Sequence, residues 1–71
     1  MITEEQLENW FSYHKPQGDA PEQYAAIRAA GKQLALTIVQ TTPPSADQTA
    51  AIRKVREAVM TANAAIACGG K

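Results

Sequence analysis

An all-α fold is predicted for this chain: a short N-terminal helix followed by an antiparallel hairpin of two long helices. Three observations predict it. Alanine is the commonest residue while aromatic side chains make up only 6%, a balance that favours helix over sheet. Two breaker segments, His14-Lys15-Pro16-Gln17-Gly18 and Thr41-Thr42-Pro43-Pro44, divide the chain into three stretches. Within each stretch the apolar residues recur every three or four positions, the period of a helix with one buried face.

The first helix is expected over about residues 4–13. Thr3 can accept an orphan amide proton, and Gln6, three residues later, can reach back to the cap. Leu7, Trp10 and Phe11 form one apolar face, while Glu4, Glu5 and Glu8 lie elsewhere near the positive helix start. The second helix is expected over about residues 20–41, capped by Asp19, with Pro21 tolerated in its first turn. Its seam reads Tyr24, Ile27, Gly31, Leu34, Ile38. A glycine in mid-helix costs about 1 kcal/mol relative to alanine. Gly31 therefore reads either as a close helix crossing or kink, or as a tolerated surface glycine. The third helix is expected over about residues 46–67, with Ser45 and Gln48 as its cap, the seam Ile52, Val55, Val59, Ala62, Ile66, and Gly69-Gly70 past its end.

Seventy-one residues make one domain, of a size that struggles to bury a sufficient core alone. Alanine pairs on the flanks, such as Ala25/Ala29 and Ala58/Ala65, invite close approach by further helices, so self-association is expected. One cysteine, Cys68, excludes an intrachain disulfide, and a single histidine leaves no His/Cys metal cage within a protomer. No metal or other cofactor is expected. The acidic start and the short apolar run Leu34 to Val39 suit neither a signal peptide nor a membrane span, so a cytoplasmic protein is expected.

Catalysis finds no constellation: His14 stands alone and the acids are scattered from Glu4 to Glu57. No enzyme is expected. Charge is the more informative feature. Lys+Arg and Asp+Glu balance at seven each, yet residues 1–22 carry five acids against Lys15, and residues 23–71 carry six basic side chains against Asp47 and Glu57. The long helices are locally basic, while the neutral total argues against general DNA binding.

Arg53, Arg56, Met60 and Asn63 fall on one stripe of the third helix, combining two guanidiniums, a thioether and an amide. Such a stripe can hold phosphate and meet a base, or it can be a solvated edge with Arg53 paired to Glu57. Tyr13-His14-Lys15 offers an aromatic ring and cations at the end of the first helix. Arg28 and Lys32, aligned with Tyr24, can close the same pocket from this chain or from a neighbouring copy; alternatively Tyr13 is ordinary half-buried packing.

Taken together, the segments Trp10-Phe11-Ser12-Tyr13-His14, Tyr24-Ala25-Ala26-Ile27-Arg28 and Thr42-Pro43-Pro44-Ser45 running on to Met60-Thr61-Ala62-Asn63-Ala64 resemble the bacteriophage anti-CBASS proteins that sequester cyclic oligonucleotides. The resemblance spans nearly the whole chain. It implies a small helical homohexamer in the cytoplasm of the infected bacterial host, soaking up nucleotide second messengers without breaking a bond. It also implies two pockets: one between protomers for cyclic dinucleotides, one built by three protomers for cyclic trinucleotides. In the first, Tyr13 and Arg28 stand at the family's tyrosine and basic positions. The family's basic residue is often lysine, so Arg28 departs from the pattern and Lys32 is a second candidate. For the second pocket the stripe Arg53, Arg56, Met60, Asn63 is the candidate set. The partners implied are cyclic oligonucleotides and further copies of the chain, with no DNA and no membrane. A helical adaptor or structural phage protein, binding another protein through its apolar seam, is the competing reading.

Overall fold

The computed structural model describes residues 1–71 and contains three α-helices, α1 (Glu4–Trp10), α2 (Ala20–Thr41) and α3 (Ala46–Ala67), and no strand. Local hydrogen bonds explain most of these limits. Thr3 Oγ1 accepts from the Gln6 amide at 3.1 Å and Gln6 Oε1 accepts from the Thr3 amide at 2.9 Å, a reciprocal cap that starts α1. The helix stops at Trp10, three residues short of the expected end at Tyr13. Continuing it would need the carbonyls of Glu8 and Asn9 as acceptors for the next amides. Instead the His14 ring takes the Asn9 carbonyl that the Tyr13 amide would use, while the Ser12 hydroxyl donates to the Glu8 carbonyl, a back-bond that Thr37 also makes inside α2 without ending it.

The other two starts differ from each other. Asp19 stands at the N-cap of α2, but its side chain makes no capping bond, contrary to expectation; Pro21 in the first turn is the remaining start signal. Ser45 caps α3 by accepting from the Gln48 amide at 3.1 Å. Gln48 does not close a capping box. Its side-chain amide donates to the Thr42 carbonyl and hydroxyl, both at 3.1 Å, and so clasps the end of α2 to the start of α3. Beyond α3 the Gly70 amide reaches the Ala65 carbonyl at 2.9 Å, a closure that uses the left-handed backbone of Gly69 (φ 65°) and Gly70 (φ 77°).

The hairpin packs α2 against α3 along Tyr24, Ile27, Gly31, Ala35 and Ile38 on one side and Ile52, Val55, Val59, Ala62 and Ile66 on the other, all partly buried. Ala35 replaces the expected Leu34, which remains 52% exposed. The reason lies one turn earlier. A Cβ on Gly31 would meet Val59 Cγ2 at 2.6 Å, so the backbone of α2 lies against a β-branched side chain of α3. At so close a crossing the next inward position suits a methyl group better than an isobutyl group. Gly31 therefore marks a close crossing, the first of the two alternatives that the sequence left open.

α1 lies at the far end of α3. Asn9 Nδ2 donates to the Cys68 carbonyl at 3.2 Å, and Trp10 Nε1 donates to the Lys71 carbonyl at 3.1 Å. The expected apolar face divides here. Trp10 borders a hollow with Thr61, Ala64 and Ala65, whereas Phe11 stays 84% exposed.

Only Ala20 is buried in the protomer. A compact monomer of this mass (7.6 kDa) exposes about 4,300 Å², whereas the protein exposes 5819 Å². The excess, about 1,500 Å², is the extra surface left open by an elongated hairpin, 44 × 30 × 15 Å, with almost no buried core.

Candidate functional site

Two concavities adjoin along α2. The first is a cleft of about 680 Å³ at the α1 end, lined by Tyr13, His14 and Lys15 from the α1–α2 connection, Gln23 and Tyr24 from α2, and Ile66 and Ala67 from α3. Tyr13 is 86% exposed and Tyr24 partly buried, so the cleft has one free and one seated phenol ring. Each ring offers a face to stack on and a hydroxyl that donates or accepts. Lys15 is its cation, and Asp19 on the opposite side supplies a carboxylate.

The second is a groove of about 310 Å³ between the hairpin helices, lined by Arg28, Gly31, Lys32 and Ala35 of α2 and by Ile52, Val55, Arg56, Val59 and Met60 of α3. Its floor is apolar because the helices cross closely at Gly31. Three cations line it: Arg28 and Lys32 one turn apart on α2, and Arg56 on α3. A planar guanidinium grips two phosphate oxygens at once, and lysine adds a mobile point charge. Met60, exposed beside them, supplies a polarizable contact suited to a flat ring.

Cleft and groove belong to one surface. Tyr24 lines the first and Arg28 the second, four residues apart on the same helix, which at 1.5 Å per residue is about 6 Å along the axis.

Within a single chain the residues singled out from the sequence fall in more than one place. Within one protomer Tyr13 sits in the cleft, whereas Arg28 and Lys32 sit in the groove. Arg56 and Met60, expected in a separate site, share that groove with Arg28 and Lys32. Arg53 is exposed and lines neither concavity. Asn63 turns toward the protein interior, and its Oδ1 is buried with no hydrogen-bond partner. Sequence pattern gave Tyr24 a place in the seam and aligned it with Arg28; the cleft shows that it serves both. Asn9 was missed altogether. Nothing in its spacing distinguishes it from an ordinary polar residue on a short helix, and its role appears only when α1 meets the end of α3.

No group of three or more His, Cys, Asp or Glu side chains converges to hold a metal ion, and no helix is long and apolar enough to cross a membrane. What the surface offers is recognition: stacking faces, guanidinium forks and an apolar floor on a helical hairpin. These define a small helical hairpin protein whose surface chemistry suits anionic, ring-bearing ligands. A family model described as Acb2/Tad1, hairpin domain, matches residues 3–67, and the chain belongs to that family, the anti-CBASS cyclic oligonucleotide sponges. Neither a curated protein nor a solved structure matches it. At the level of the family, then, the protein is a sponge, a binding protein that acts against CBASS immunity.

Proposed function

We propose that this protein captures cyclic di- and trinucleotide second messengers, without cleaving them, and so withholds them from the CBASS effectors they activate in the cytoplasm of an infected bacterium. The observation that carries the reading is the junction of an aromatic cleft with a three-cation groove along α2. A cyclic dinucleotide presents two bases and two phosphates, a chemistry this junction matches. Tyr13, backed by Tyr24, stacks on a base, and Arg28 and Lys32 hold phosphate. Arg53, Arg56 and Met60 form the exposed part of the second set, in which three copies of α3 surround a cyclic trinucleotide, and Asn63, whose Oδ1 is buried, belongs to it only if its side chain turns outward on assembly.

A homohexamer is the assembly proposed. Its support is that only Ala20 is buried in the protomer, which leaves apolar surface for further copies to cover. Assembly also resolves the charge problem of a net-neutral chain, because symmetric repetition gathers the cations of several protomers around one ligand. Binding at nanomolar strength needs about 12 kcal/mol. Stacking at ~1–3 kcal/mol per base and charge-assisted hydrogen bonds at ~1.5–3 kcal/mol each reach that range.

The test is calorimetric titration with a cyclic dinucleotide and a cyclic trinucleotide, followed by chromatography of ligand released by heat. Tight binding with ligand recovered unchanged is the expected result. Recovery of a hydrolysed ligand would make the protein an enzyme, and absence of heat with both ligands would favour a helical adaptor.

A further inference from the structure

We infer that His14 is a positioning residue of the cleft: through its ring nitrogen Nε2 it fixes the backbone that carries Tyr13. The inference rests on the reading that Tyr13 stacks on a nucleotide base.

Tyr13 lies outside α1, on a connection with no helical hydrogen bonds of its own, and its ring is 86% exposed. Little packing holds it. The residues on either side, however, are both tied back to the last turn of α1. Ser12 Oγ donates to the Glu8 carbonyl, and His14 Nε2 lies 2.6 Å from the Asn9 carbonyl. A carbonyl only accepts, so the His14 proton at this contact is on Nε2. Asn9 is itself held. Its side chain donates to the Cys68 carbonyl at 3.2 Å, and Cys68 Sγ approaches the same Asn9 carbonyl at 3.9 Å. The path from His14 through Asn9 to the end of α3 therefore references the Tyr13 backbone to the hairpin whose α2 carries Tyr24 and Arg28.

The consequence is preorganisation. A stacking residue on a loose connection loses conformational freedom when it binds, whereas a tethered one has lost it already. His14 is half-buried, as an anchor should be, while its neighbour Tyr13 is open to ligand. The side-chain bond also has a chemical signature. Glutamine places an amide N–H near the position of Nε2, whereas asparagine places it near Nδ1, which is too short to reach the Asn9 carbonyl.

The experiment compares His14→Gln, His14→Asn and Ser12→Ala with the unaltered protein, each titrated with one cyclic dinucleotide, with circular dichroism as the check on folding. Loss of one such tether is expected to weaken binding about tenfold. His14→Asn should show that loss and His14→Gln should restore most of it. Ser12→Ala, at an exposed position, should show a smaller loss with the helical spectrum unchanged. Equal weakening by Gln and Asn in folded protein would overturn the inference, as would full affinity in His14→Asn. Should the His14 variants not fold, full affinity in Ser12→Ala would overturn tethering, and weakened affinity would support it. Tyr13→Ala separates the two readings. If the unaltered protein does not bind, or Tyr13→Ala binds as well as it does, the stacking role itself fails; if Tyr13→Ala alone loses binding, stacking stands and the His14 tether falls.

Discussion

Between α2 and α3 the contact is apolar and steric, with Gly31 admitting Val59 to a distance that no Cβ would tolerate. Between α1 and the hairpin it is polar and sparse, resting on Asn9 and Trp10 and the carbonyls past the end of α3. The first kind of contact fixes a shape whatever the chain binds. The second holds a short acidic arm, residues 1–19, in a place where its Tyr13 can meet a ligand. The packing that fixes the hairpin and the bonds that hold Tyr13 thus rest on different stretches of one small chain, and substitutions should separate them.

The largest effect is expected where the hairpin is tightest. Gly31→Leu forces a side chain into Val59 and should cost about 3 kcal/mol, lowering the melting temperature by at least ~12 °C in a domain this small. Gly31→Ala should cost less, because better helix propensity returns about 1 kcal/mol. An unchanged melting curve for both would mean that the crossing is not the foundation of the fold. Tyr13→Ala comes next and acts on the other side of the comparison. It should remove ~1–3 kcal/mol of cyclic dinucleotide affinity while leaving thermal stability within ~0.5 kcal/mol. A melting temperature lowered along with affinity would place the arm inside the cooperative unit of the hairpin.

Two caps make the finest comparison. Ser45→Ala removes the cap of α3 and should lower global stability by about 1 kcal/mol, seen in denaturant unfolding. Thr3→Ala removes the equivalent bond from α1, and its effect should be local: faster amide exchange within Glu4–Trp10 with the unfolding midpoint nearly unmoved. Equal midpoint shifts from the two caps would erase the distinction between arm and hairpin.

The same division governs what was legible in the sequence. The hairpin was legible because its determinants are local and periodic: Ser45 with Gln48, Pro43-Pro44, and the recurrence of Ile52, Val55 and Val59. Its misreadings were local: Asp19 makes no capping bond, Gln48 turns to Thr42 instead of closing a box, and Leu34 stood for Ala35, where spacing permits either residue and only the closeness of the crossing decides. The arm was less legible. Its helix was expected three residues too long because the His14 ring takes the Asn9 carbonyl that the next turn would need, a competition that hydrophobic spacing does not encode. The closeness of candidate residues from different helices was hidden for a related reason. Arg28 and Arg56 stand far apart in sequence and share a groove only because α3 folds back along α2, so each was first assigned to a stripe on its own helix.

The Gln48 clasp across the hairpin turn has a consequence in time. It joins Thr42 to the start of α3 over six residues, next to a connection of only four, so the turn closes on itself before any distant part of the chain is needed. Chains dominated by such near-neighbour contacts fold in microseconds to milliseconds. A molecule that must intercept a diffusing signal gains from readiness as well as from affinity, and here each newly made protomer holds its groove as soon as the hairpin shuts.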